Sequence, residues 1–548
     1  MRALPEQLAK SLRAFGVKYV FGIPGGPSLP YLEAMRQNGV EFVLVSNEQS
    51  AAIMADVCGR LTGIPGVCHA TFGPGATNLS TGVGGALLDR SPLVAFTTEV
   101  KDADRARKVQ MNIDHQALFK PLTKWTARLS GRNFKETITK AFSVAAAEVP
   151  GPVHIGLPSD IDAEVLEDGC GEKAAAGLAG RPLPPPDPLL LKEAAKMLNK
   201  AKRPLLAAGL TAARLGLANQ IREFVSKNNI PVVLTPMAKG LVPPAHPCYA
   251  GVLFHARSDL VASIYRKADL VIGIGYDPVE FNYEAWMPNV PLIHIDTEPA
   301  DITPGYNVAG DITGSPAEAL AYLNALSLPA YEWDAAEIRD NKDKLFQALT
   351  PRKNAPGSNR TAAFTPSDLI TALREVMPED GLITADVGAH LHLLGQLWLA
   401  EEPNRFLMTN GWSSMGFGFP AAIGAKLCRP ASAVACITGD GGFLMNCGEV
   451  MTARRLGINV VIVVLCDRKL SLIEVKQNRR QAAPYGTTLY EGEYFAADHF
   501  LGAPVFKARD RGEMKTALEQ AFSVAGPAII EAIVDGAGYE ELIARSCR

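Results

Sequence analysis

Two apolar runs in the last third of the chain, each followed by an aspartate, constrain the fold more than any other feature. The first, Ala433 to Thr438, is followed by Asp440, and the second, Val460 to Leu465, is followed by Asp467. Apolar runs that are rich in β-branched residues and show no alternation are typical of parallel strands buried on both faces. The segment Cys447 to Leu456 between them predicts a crossover helix. Both carboxylates are therefore expected at the carboxyl ends of neighbouring parallel strands, where ligands of open α/β sheets bind.

The glycines around Asp440 indicate what this strand end binds. Gly439 precedes the acid, Gly441 and Gly442 follow it, and glycines allow backbone amides to approach an anion closely. Two carboxylate groups together with a phosphate provide the oxygen ligands that a hard octahedral cation such as Mg²⁺ prefers. The pattern predicts a metal ion that holds a diphosphate. The alternative is a glycine turn with a single capping aspartate.

Composition places the chain among ordinary soluble α/β proteins. Its 548 residues are 47% hydrophobic and carry a net charge of −3, which gives no electrostatic reason to expect a nucleic acid or a membrane as a partner. Nine cysteines show no zinc-site spacing, as expected in a reducing compartment, and His69, His115 and His499 are predicted to be structural. The N-terminus has no signal-peptide core, and no apolar run approaches the ~20 residues that span a bilayer. We expect a cytoplasmic protein.

Strand-like and helix-like segments alternate along the whole chain and predict three doubly wound parallel-sheet α/β domains. Two polar stretches rich in proline and glycine, about Glu167 to Asp187 and about Thr350 to Thr365, are typical of linkers. The proline density of the first favours an extended spacer. The predicted domains are residues 1–166, 188–328 and 365–540.

The Gly-Asp-Gly-Gly segment resembles the cofactor signature of thiamine-diphosphate enzymes, in which a metal-binding Asn or Asp follows after a fixed gap. This resemblance predicts a glutamate after a strand in the N-terminal third, and Glu48 follows such a segment. The likeness covers nearly the whole chain and extends to a three-domain family that includes acetohydroxyacid synthases, pyruvate oxidases, and pyruvate and benzoylformate decarboxylases. It implies that the N-terminal domain binds the aminopyrimidine and the C-terminal domain the diphosphate. It also implies a homodimer or homotetramer with active sites at the subunit interface.

Four further segments carry the resemblance: residues 21–26, 72–78, 386–390 and 410–416. They resemble the glycine turn beside the reacting carbon, the GPGATN loop, the diphosphate turn, and the segment whose methionine supports the bent cofactor. The predicted cofactor-binding residues are Pro24, Gly25, Glu48, Pro74, Asn78, Gly388, His390, Gly411, Met415, Gly439, Gly441, Gly442, Ser471 and Leu472. The predicted metal site consists of Asp440, Asp467 and Lys469. The predicted catalytic residues are Glu48, Gly26, Met415 and Lys476.

Glu48 is the residue to which the resemblance gives the central chemical role. A carboxylate hydrogen-bonded to the pyrimidine ring favours the tautomer that can take the thiazolium C2 proton, and the apolar neighbours Ala51 to Met54 fit the dry pocket that this needs. The cofactor then acts as electron sink while a 2-oxo acid loses CO₂. The alternative interpretation is that Glu48 caps the helix that begins near Ser50.

Within this family, the middle third is most similar to catabolic-type acetolactate synthases. The segment 275–280, followed by Trp286 and by His294 to Asp296, resembles their pattern, whereas flavin-binding members have a different sequence there. Asp467 agrees with this, because the catabolic type also uses Asp at that position. The resemblance implies thiamine diphosphate and Mg²⁺ as cofactors, and FAD is not expected.

Several positions depart from the synthase pattern. Asn47 replaces a usual His, Met111 stands where the synthases have an active-site Gln, and Gln110 is one place away. Lys476 replaces a Trp or Gln and suggests an anionic group on donor or acceptor. The leading prediction is a carboligase that decarboxylates a pyruvate-like 2-oxo acid and joins the fragment to a second carbonyl. The alternative is a non-oxidative 2-oxo-acid decarboxylase that releases an aldehyde.

Overall fold

The structure is a computed structural model that describes residues 1–175, 182–280, 287–350, 364–490, 492 and 494–543. Three parallel sheets, with helices between their strands, follow one another along the chain. The predicted architecture of three doubly wound α/β domains is therefore confirmed. The three sheets fall within the predicted ranges, whose bounds stay a prediction. Within the described residues, no helix is both long and apolar enough to cross a bilayer.

The N-terminal domain is built on a six-stranded parallel sheet. Two short strands, β1 (Arg2–Ala3) and β8 (Val165–Leu166), form a separate antiparallel pair. The strands of the large sheet are β2 (Tyr19–Ile23), β3 (Glu41–Leu44), β4 (Gly66–Ala70), β5 (Leu93–Glu99), β6 (Trp125–Arg128) and β7 (Pro152–Pro158). Its helices are α1 (Leu4–Ala14), α2 (Leu29–Gln37), α3 (Glu48–Thr62), α4 (Pro74–Leu88), α5 (His115–Phe119), α6 (Phe134–Ala146) and α7 (Cys170–Ala175). The large sheet has the order β3-β2-β4-β5-β7-β6.

The middle domain contains a second six-stranded parallel sheet. Its strands are β9 (Pro204–Ala208), β10 (Val232–Leu234), β11 (Tyr249–Val252), β12 (Leu270–Ile274), β13 (Leu292–Asp296) and β14 (Val308–Thr313). Its helices are α8 (Pro188–Lys200), α9 (Leu210–Arg214), α10 (Ala218–Asn228), α11 (Ser258–Tyr265), α12 (Pro316–Ala325) and α13 (Ala335–Leu349). The order is β11-β10-β9-β12-β13-β14.

The C-terminal domain has a seven-stranded sheet with a short antiparallel edge strand. Its strands are β15 (Leu382–Ala385), β16 (Phe406–Leu407), β17 (Val434–Gly439), β18 (Val461–Cys466), β19 (His499–Phe500), β20 (Ala503–Ala508) and β21 (Ala528–Ile533). Its helices are α14 (Pro366–Val376), α15 (Ala389–Leu397), α16 (Gly418–Cys428), α17 (Asp440–Asn446), α18 (Glu449–Leu456), α19 (Ser471–Arg479), α20 (Arg511–Ser523) and α21 (Tyr539–Leu542). The order is β16-β15-β17-β18-β21-β20-β19, and only β19 runs antiparallel.

The N- and C-terminal domains share one hydrophobic core, because α3 packs against α16. Met54 and Cys58 on α3 and Ala421 on α16 are buried members of this core. Arg60 reinforces the contact, since its guanidinium bonds the carboxylates of Asp56 and Asp89 and the backbone carbonyl of Met408. The start of α3 is therefore held rigidly against the C-terminal domain.

Two local predictions are wrong in detail. The first predicted linker is not only an extended spacer, because it contains α7, whose Gly171 amide donates a hydrogen bond to Gln7 on α1. The predicted crossover helix over 447–456 begins earlier, as α17 at Asp440, and is interrupted before α18. Residues 351–363 of the second linker and Trp286 lie outside the described residues.

Candidate active site

In each of the three sheets the strand order reverses at one point, and a ligand crevice is expected at the carboxyl ends of the two strands that meet there. The reversal lies between β2 and β4 in the first sheet, between β9 and β12 in the second, and between β15 and β17 in the third. Loops that leave the carboxyl ends of such strand pairs diverge and leave room for a ligand. In the terminal domains, these loops are the segments 24–26, 71–78, 386–390 and 439–442. The predicted site residues therefore fall mainly at two equivalent crevices.

Glu48 lies at the N-terminal crevice as a nearly buried carboxylate. It occupies the first turn of α3, and Asn78 on α4 donates a hydrogen bond of 3.1 Å to its Oε2. Its Oε1 faces Gly75, where an added Cβ would come within 3.2 Å. The alternative interpretation, that Glu48 is the helix cap, is wrong, because Asn47 is the N-cap and its side chain accepts the Gln49 amide at 2.8 Å.

The glycine turn after β2 closes the same crevice. A Cβ on Gly25 would lie 2.3 Å from Oγ1 of Thr71, so the two loops touch, whereas a Cβ on Gly26 would meet none of the described residues within 4 Å. Ser28 holds the turn by accepting the Gly25 amide at 3.1 Å. Gly26 therefore borders open space among the described residues, and its catalytic role stays a prediction.

Asp440 and Asp467 lie together at the C-terminal crevice. Oδ2 of Asp440 accepts the amide of Arg468 at 2.7 Å, which joins the two strand ends, and Asp467 accepts hydrogen bonds from Ser471 and, at 3.4 Å, from the Lys469 amide. Burial, together with the nearby charge of Asp440, raises the pKa of Asp467 to about 6, and burial also raises the pKa of Asp440. Two desolvated acids side by side favour a bound cation.

Met415 reaches the turn that follows Asp440. An added Cβ on Gly441 would lie 3.2 Å from Cε of Met415 and 3.1 Å from Cδ2 of Leu470. The methionine thus presents an apolar surface next to the glycines that follow Asp440. The role predicted for Met415, support of the bent cofactor, is compatible with this position and stays a prediction.

His390 supplies a hydrogen-bonding atom that the fold leaves unused. Its ring lies between two strand ends. A Cβ added to Gly388 would lie 2.7 Å from Cε1 of the ring, and a Cβ added to Gly439 would lie 3.4 Å from the same atom. Its Nε2 is buried and has no hydrogen-bond partner among the described residues. Burial lowers the pKa of His390 to about 4, so the ring is neutral near neutral pH. A buried polar atom of this kind usually has a partner, and an oxygen of an anionic ligand would provide one.

Asp386 and Asn446 organise this crevice and were not predicted as site residues. Asp386 accepts hydrogen bonds from the Val387 amide at 2.7 Å, the Gly416 amide at 2.9 Å and the Thr438 hydroxyl at 2.9 Å. Asn446 donates to the Gly416 carbonyl at 2.6 Å. The segment that carries Met415 is thereby tied both to β17 and to α17. For Asp386, the sequence signal of this role is an acid directly after the apolar segment that forms β15.

The start of α3 also contacts the C-terminal crevice of the same chain. Ser50 donates a hydrogen bond to Asn446 at 3.2 Å, and Gln49 donates to Ser414 at 3.3 Å. The carboxylate of Glu449 accepts both the Ser46 and Asn47 amides. The N-terminus of the helix that carries Glu48 is therefore fixed relative to the Met415 segment.

Other predicted site residues have less direct contacts. Gly411 packs on the end of α4, where a Cβ would lie 2.6 Å from the Leu88 carbonyl, and its amide bonds Asp89. The side chain of Lys469 pairs with Glu474 at 2.7 Å, so only its backbone faces Asp467. Lys476 is exposed on α19. The half-buried Leu472, Pro24 and the exposed Pro74 lie in the segments that border the crevices.

A substitution at Gly442 tests how tightly the C-terminal crevice is built. We expect Gly442→Ala to lower the midpoint of thermal unfolding, because its Cβ would lie 2.4 Å from Oδ2 of Asp386. Overpacking of this kind costs about 1–3 kcal/mol, although alanine otherwise favours a helix by about 0.5–1 kcal/mol. Gly526→Ala is the matched control, because a Cβ there meets no atom within 4 Å in the part of the chain that the structure describes. Equal midpoints of the two variants would contradict the close packing.

Comparison with protein families identifies the class of protein that this fold and site define. Residues 2–118 match the N-terminal TPP binding domain of thiamine pyrophosphate enzymes, residues 191–323 match the central domain, and residues 386–532 match the C-terminal TPP binding domain. The chain belongs to the thiamine pyrophosphate enzymes, and the predicted resemblance is confirmed.

Within that class, the chain is similar over nearly its full length to proteins named acetolactate synthase. It is 33% identical to the probable acetolactate synthase large subunit of Methanocaldococcus jannaschii, over 97% of this chain and 92% of the relative. It is 30% identical to the acetolactate synthase of Bacillus subtilis, over 95% and 91% of the two chains. It is 29% identical to the large subunit of acetolactate synthase isozyme 1 of Escherichia coli, over 97% and 93%.

Proposed function

We propose that this protein is a carboligase of the acetolactate synthase type, which depends on thiamine diphosphate and Mg²⁺. It decarboxylates a 2-oxo acid such as pyruvate and joins the remaining fragment to a second carbonyl. One observation carries the proposal: in a chain similar throughout to acetolactate synthases, Glu48 held by Asn78 lies at one crevice, and Asp440 beside Asp467 lies at the other. The relatives' names favour carboligation over the alternative, a decarboxylase that releases an aldehyde.

The residues of the C-terminal crevice fit the diphosphate and its metal ion. Asp440, Asp467 and the backbone carbonyl of Lys469 would ligate Mg²⁺, and the unpartnered Nε2 of His390 would bond a phosphate oxygen. The glycines after β15 and β17 leave room for the phosphates, and Ser471 orients Asp467. When bound, thiamine diphosphate supplies the electron sink that makes decarboxylation of a 2-oxo acid possible.

Glu48 would hold the proton that the pyrimidine ring requires. Its nearly buried carboxylate already receives one hydrogen bond from Asn78, so its remaining acceptor positions are directed and shielded from water. Hydrogen bonds of this kind are stronger in a desolvated pocket than in water. Gly26 would leave open space for the reacting carbons, and the Met415 side chain lies against the Gly441 turn.

The groups that select substrate and product lie on two exposed segments. Met111 has a positive φ of 62°, and its carbonyl would lie 2.7 Å from a Cβ on Gly73, so its backbone lines the edge of the loop before α4. We propose that Lys476 on α19 binds an anionic group of donor or acceptor. A Lys476→Gln variant with unchanged KM for every substrate that the enzyme accepts would contradict this role.

A buried carboxylate at the middle crevice supports the prediction that FAD is not a cofactor. Glu280 accepts hydrogen bonds from the Leu210 amide at 3.1 Å, the Met237 amide at 2.7 Å and the Thr235 hydroxyl at 2.5 Å. Backbone amides at such a strand end are the groups that would otherwise bind the phosphates of a dinucleotide. A flavin absorbance spectrum in the purified protein would contradict the proposal.

We also propose that the enzyme is a cytoplasmic homodimer or homotetramer whose active sites lie between subunits. Large apolar side chains are exposed on α17, which begins at Asp440, and on the following α18: Leu444, Met445 and Met451. Clustered exposed apolar groups mark protein interfaces. Light scattering that gives the mass of a single chain for the active enzyme would refute the assembly. The eight described cysteines, all free thiols, support a reducing compartment, which cell fractionation tests.

The test of the reaction is a product analysis with pyruvate, Mg²⁺ and thiamine diphosphate, resolved by NMR. We expect acetolactate. Acetaldehyde alone would place the enzyme among the decarboxylases. If cofactor-loaded protein leaves pyruvate unconsumed, pyruvate is not the donor, and the same analysis is repeated with 2-oxo acids that carry a second anionic group, for which Lys476 is the first candidate ligand.

A further inference from the structure

A continuous chain of hydrogen bonds crosses the N-terminal sheet and ends on the loop before α4. It runs through two threonines and two histidines, of which only His115 has a predicted role, a structural one: Thr97 on β5, His115 on α5, Thr126 on β6 and His154 on β7. The hydroxyl of Thr97 lies 2.8 Å from Nδ1 of His115 and 2.7 Å from Nε2 of His154. All these side chains are buried or half-buried.

One end of this chain fixes the direction of every hydrogen bond. At Glu99 the carboxylate can only accept, so the amide nitrogen of Gln116 donates to it at 2.7 Å, and the Gln116 oxygen accepts from Thr126 at 2.7 Å. Thr126 has then used its proton and must accept from Nδ1 of His154. A neutral His154 accepts at Nε2 from Thr97, and Thr97 in turn accepts from Nδ1 of His115.

The opposite end requires the same arrangement independently. The backbone amide of Gly73 can only donate, and it donates to Nε2 of His115 at 3.2 Å. His115 must therefore be neutral with its proton on Nδ1. The hydrogen bonds that begin at Glu99 require this same tautomer. Burial lowers the pKa of His115 to about 4 and that of His154 well below its usual value, so both rings are neutral near pH 7.

The Gly73 amide is a sensitive point of the candidate site. Gly73 has φ +70° and is the residue before α4, and a Cβ there would lie 2.7 Å from the Met111 carbonyl. The first two turns of α4 carry Asn78, which bonds Glu48, and Gly75, which packs against it. Any rotation of the Gly73 turn therefore moves the groups that hold the Glu48 carboxylate.

We propose that His115 is a positioning residue for the reaction: its Nε2 holds the Gly73 amide, and the hydrogen-bond chain to Glu99 keeps the ring in the accepting tautomer. The inference rests on the proposed function for the role of Glu48. Nitrogen and oxygen atoms of Glu99, His115 and His154 also lie within 4.8 Å of one another, a spacing that a metal ion could use. The guanidinium of Arg128 on Glu99 and the hydroxyl of Thr97 between the rings favour hydrogen bonding instead.

The test interrupts the chain of hydrogen bonds at Thr126 and His154, away from the Gly73 amide at its other end. Thr126→Val keeps the shape but removes the hydroxyl, and Thr126→Ser restores it. His154→Phe keeps the ring that stacks on Phe119 at 4.2 Å but removes both nitrogens. We expect Thr126→Val and His154→Phe to speed hydrogen–deuterium exchange of the Gly73 amide about 5–10-fold, the loss of one hydrogen bond. We expect kcat to fall about tenfold with KM nearly unchanged, and Thr126→Ser to behave as wild type.

Thr137→Val, at another buried threonine of the same domain, controls for the loss of a hydroxyl as such. Unchanged exchange at Gly73 in both interrupting variants would overturn the proposal, and so would faster exchange with normal kcat. Stoichiometric zinc in the wild type that is lost in His154→Phe would replace the network by a metal site. Hydrogen–deuterium exchange is measured without turnover. It therefore tests whether His115 holds the Gly73 amide even if the proposed reaction is wrong.

Discussion

Glu48→Gln is expected to abolish most turnover while it leaves cofactor affinity nearly unchanged. Glutamine has almost the same shape and keeps an oxygen for the Asn78 amide, so the crevice stays intact. It has no carboxylate that can share a proton with the pyrimidine ring. Positioned proton transfer contributes about 10²–10⁴-fold to rates, and we expect kcat to fall by that factor. The measurement combines steady-state kinetics with calorimetric titration of thiamine diphosphate.

Glu41→Gln is the matched control, since Glu41 is an exposed glutamate at the start of the strand that leads to Glu48. It is expected to retain wild-type kcat. Near-normal turnover of Glu48→Gln would refute the assigned proton role. A parallel loss of cofactor binding would show instead that the Glu48 carboxylate serves binding and not proton transfer.

Asp440→Ala is expected to remove Mg²⁺-dependent binding of thiamine diphosphate. Its carboxylate is almost buried, and the hydrogen bonds that it accepts from the Gly441 and Arg468 amides orient it toward the strand end that carries Asp467. Outer-sphere partners of metal ligands alone contribute about 10–100-fold to affinity, so loss of a direct ligand should cost at least about 100-fold. The readout is the thermal stabilisation of the protein by cofactor with and without Mg²⁺, since a ligand stabilises the state that it binds.

Asp498→Ala is the corresponding control, because the Asp498 side chain is 96% exposed on the surface of the same domain. It should show the full stabilisation by Mg²⁺ and cofactor. Normal cofactor-dependent stabilisation of Asp440→Ala would exclude Asp440 as a metal ligand, and Asp467→Ala would then be examined in the same assay.

The strands and both crevices could be predicted from the sequence because their signals are local. The apolar runs 433–438 and 460–465 form the fully or largely buried strands β17 and β18, displaced by one residue. Burial on both faces removes alternation, and this pattern is visible in a short window. For the same reason, Asp440 and Asp467, which follow these strands, could be placed at the carboxyl ends of neighbouring strands.

Elements and contacts that depend on residues far apart in the sequence could not be predicted. Helix α17 begins at Asp440 and includes two glycines, which disfavour a helix by about 1 kcal/mol each, so the sequence indicated a turn. Asp386, which follows β15, lies against Gly442 in the first turn of that helix. Asp386, Asn446 and the histidines of the N-terminal sheet act through partners 30 or more residues away in most cases, which no local pattern reveals.

The core shared by α3 and α16 has a consequence for how the chain gains and loses structure. Each terminal domain alone would expose its half of this core, including Met54 and Cys58 on one side and Ala421 on the other. Cooperative folding units follow contiguous buried contacts and not the boundaries that linkers suggest. The two terminal domains are thus halves of a single cooperative unit. Within one chain, Glu48 and the Met415 segment therefore acquire their relative geometry when that unit folds.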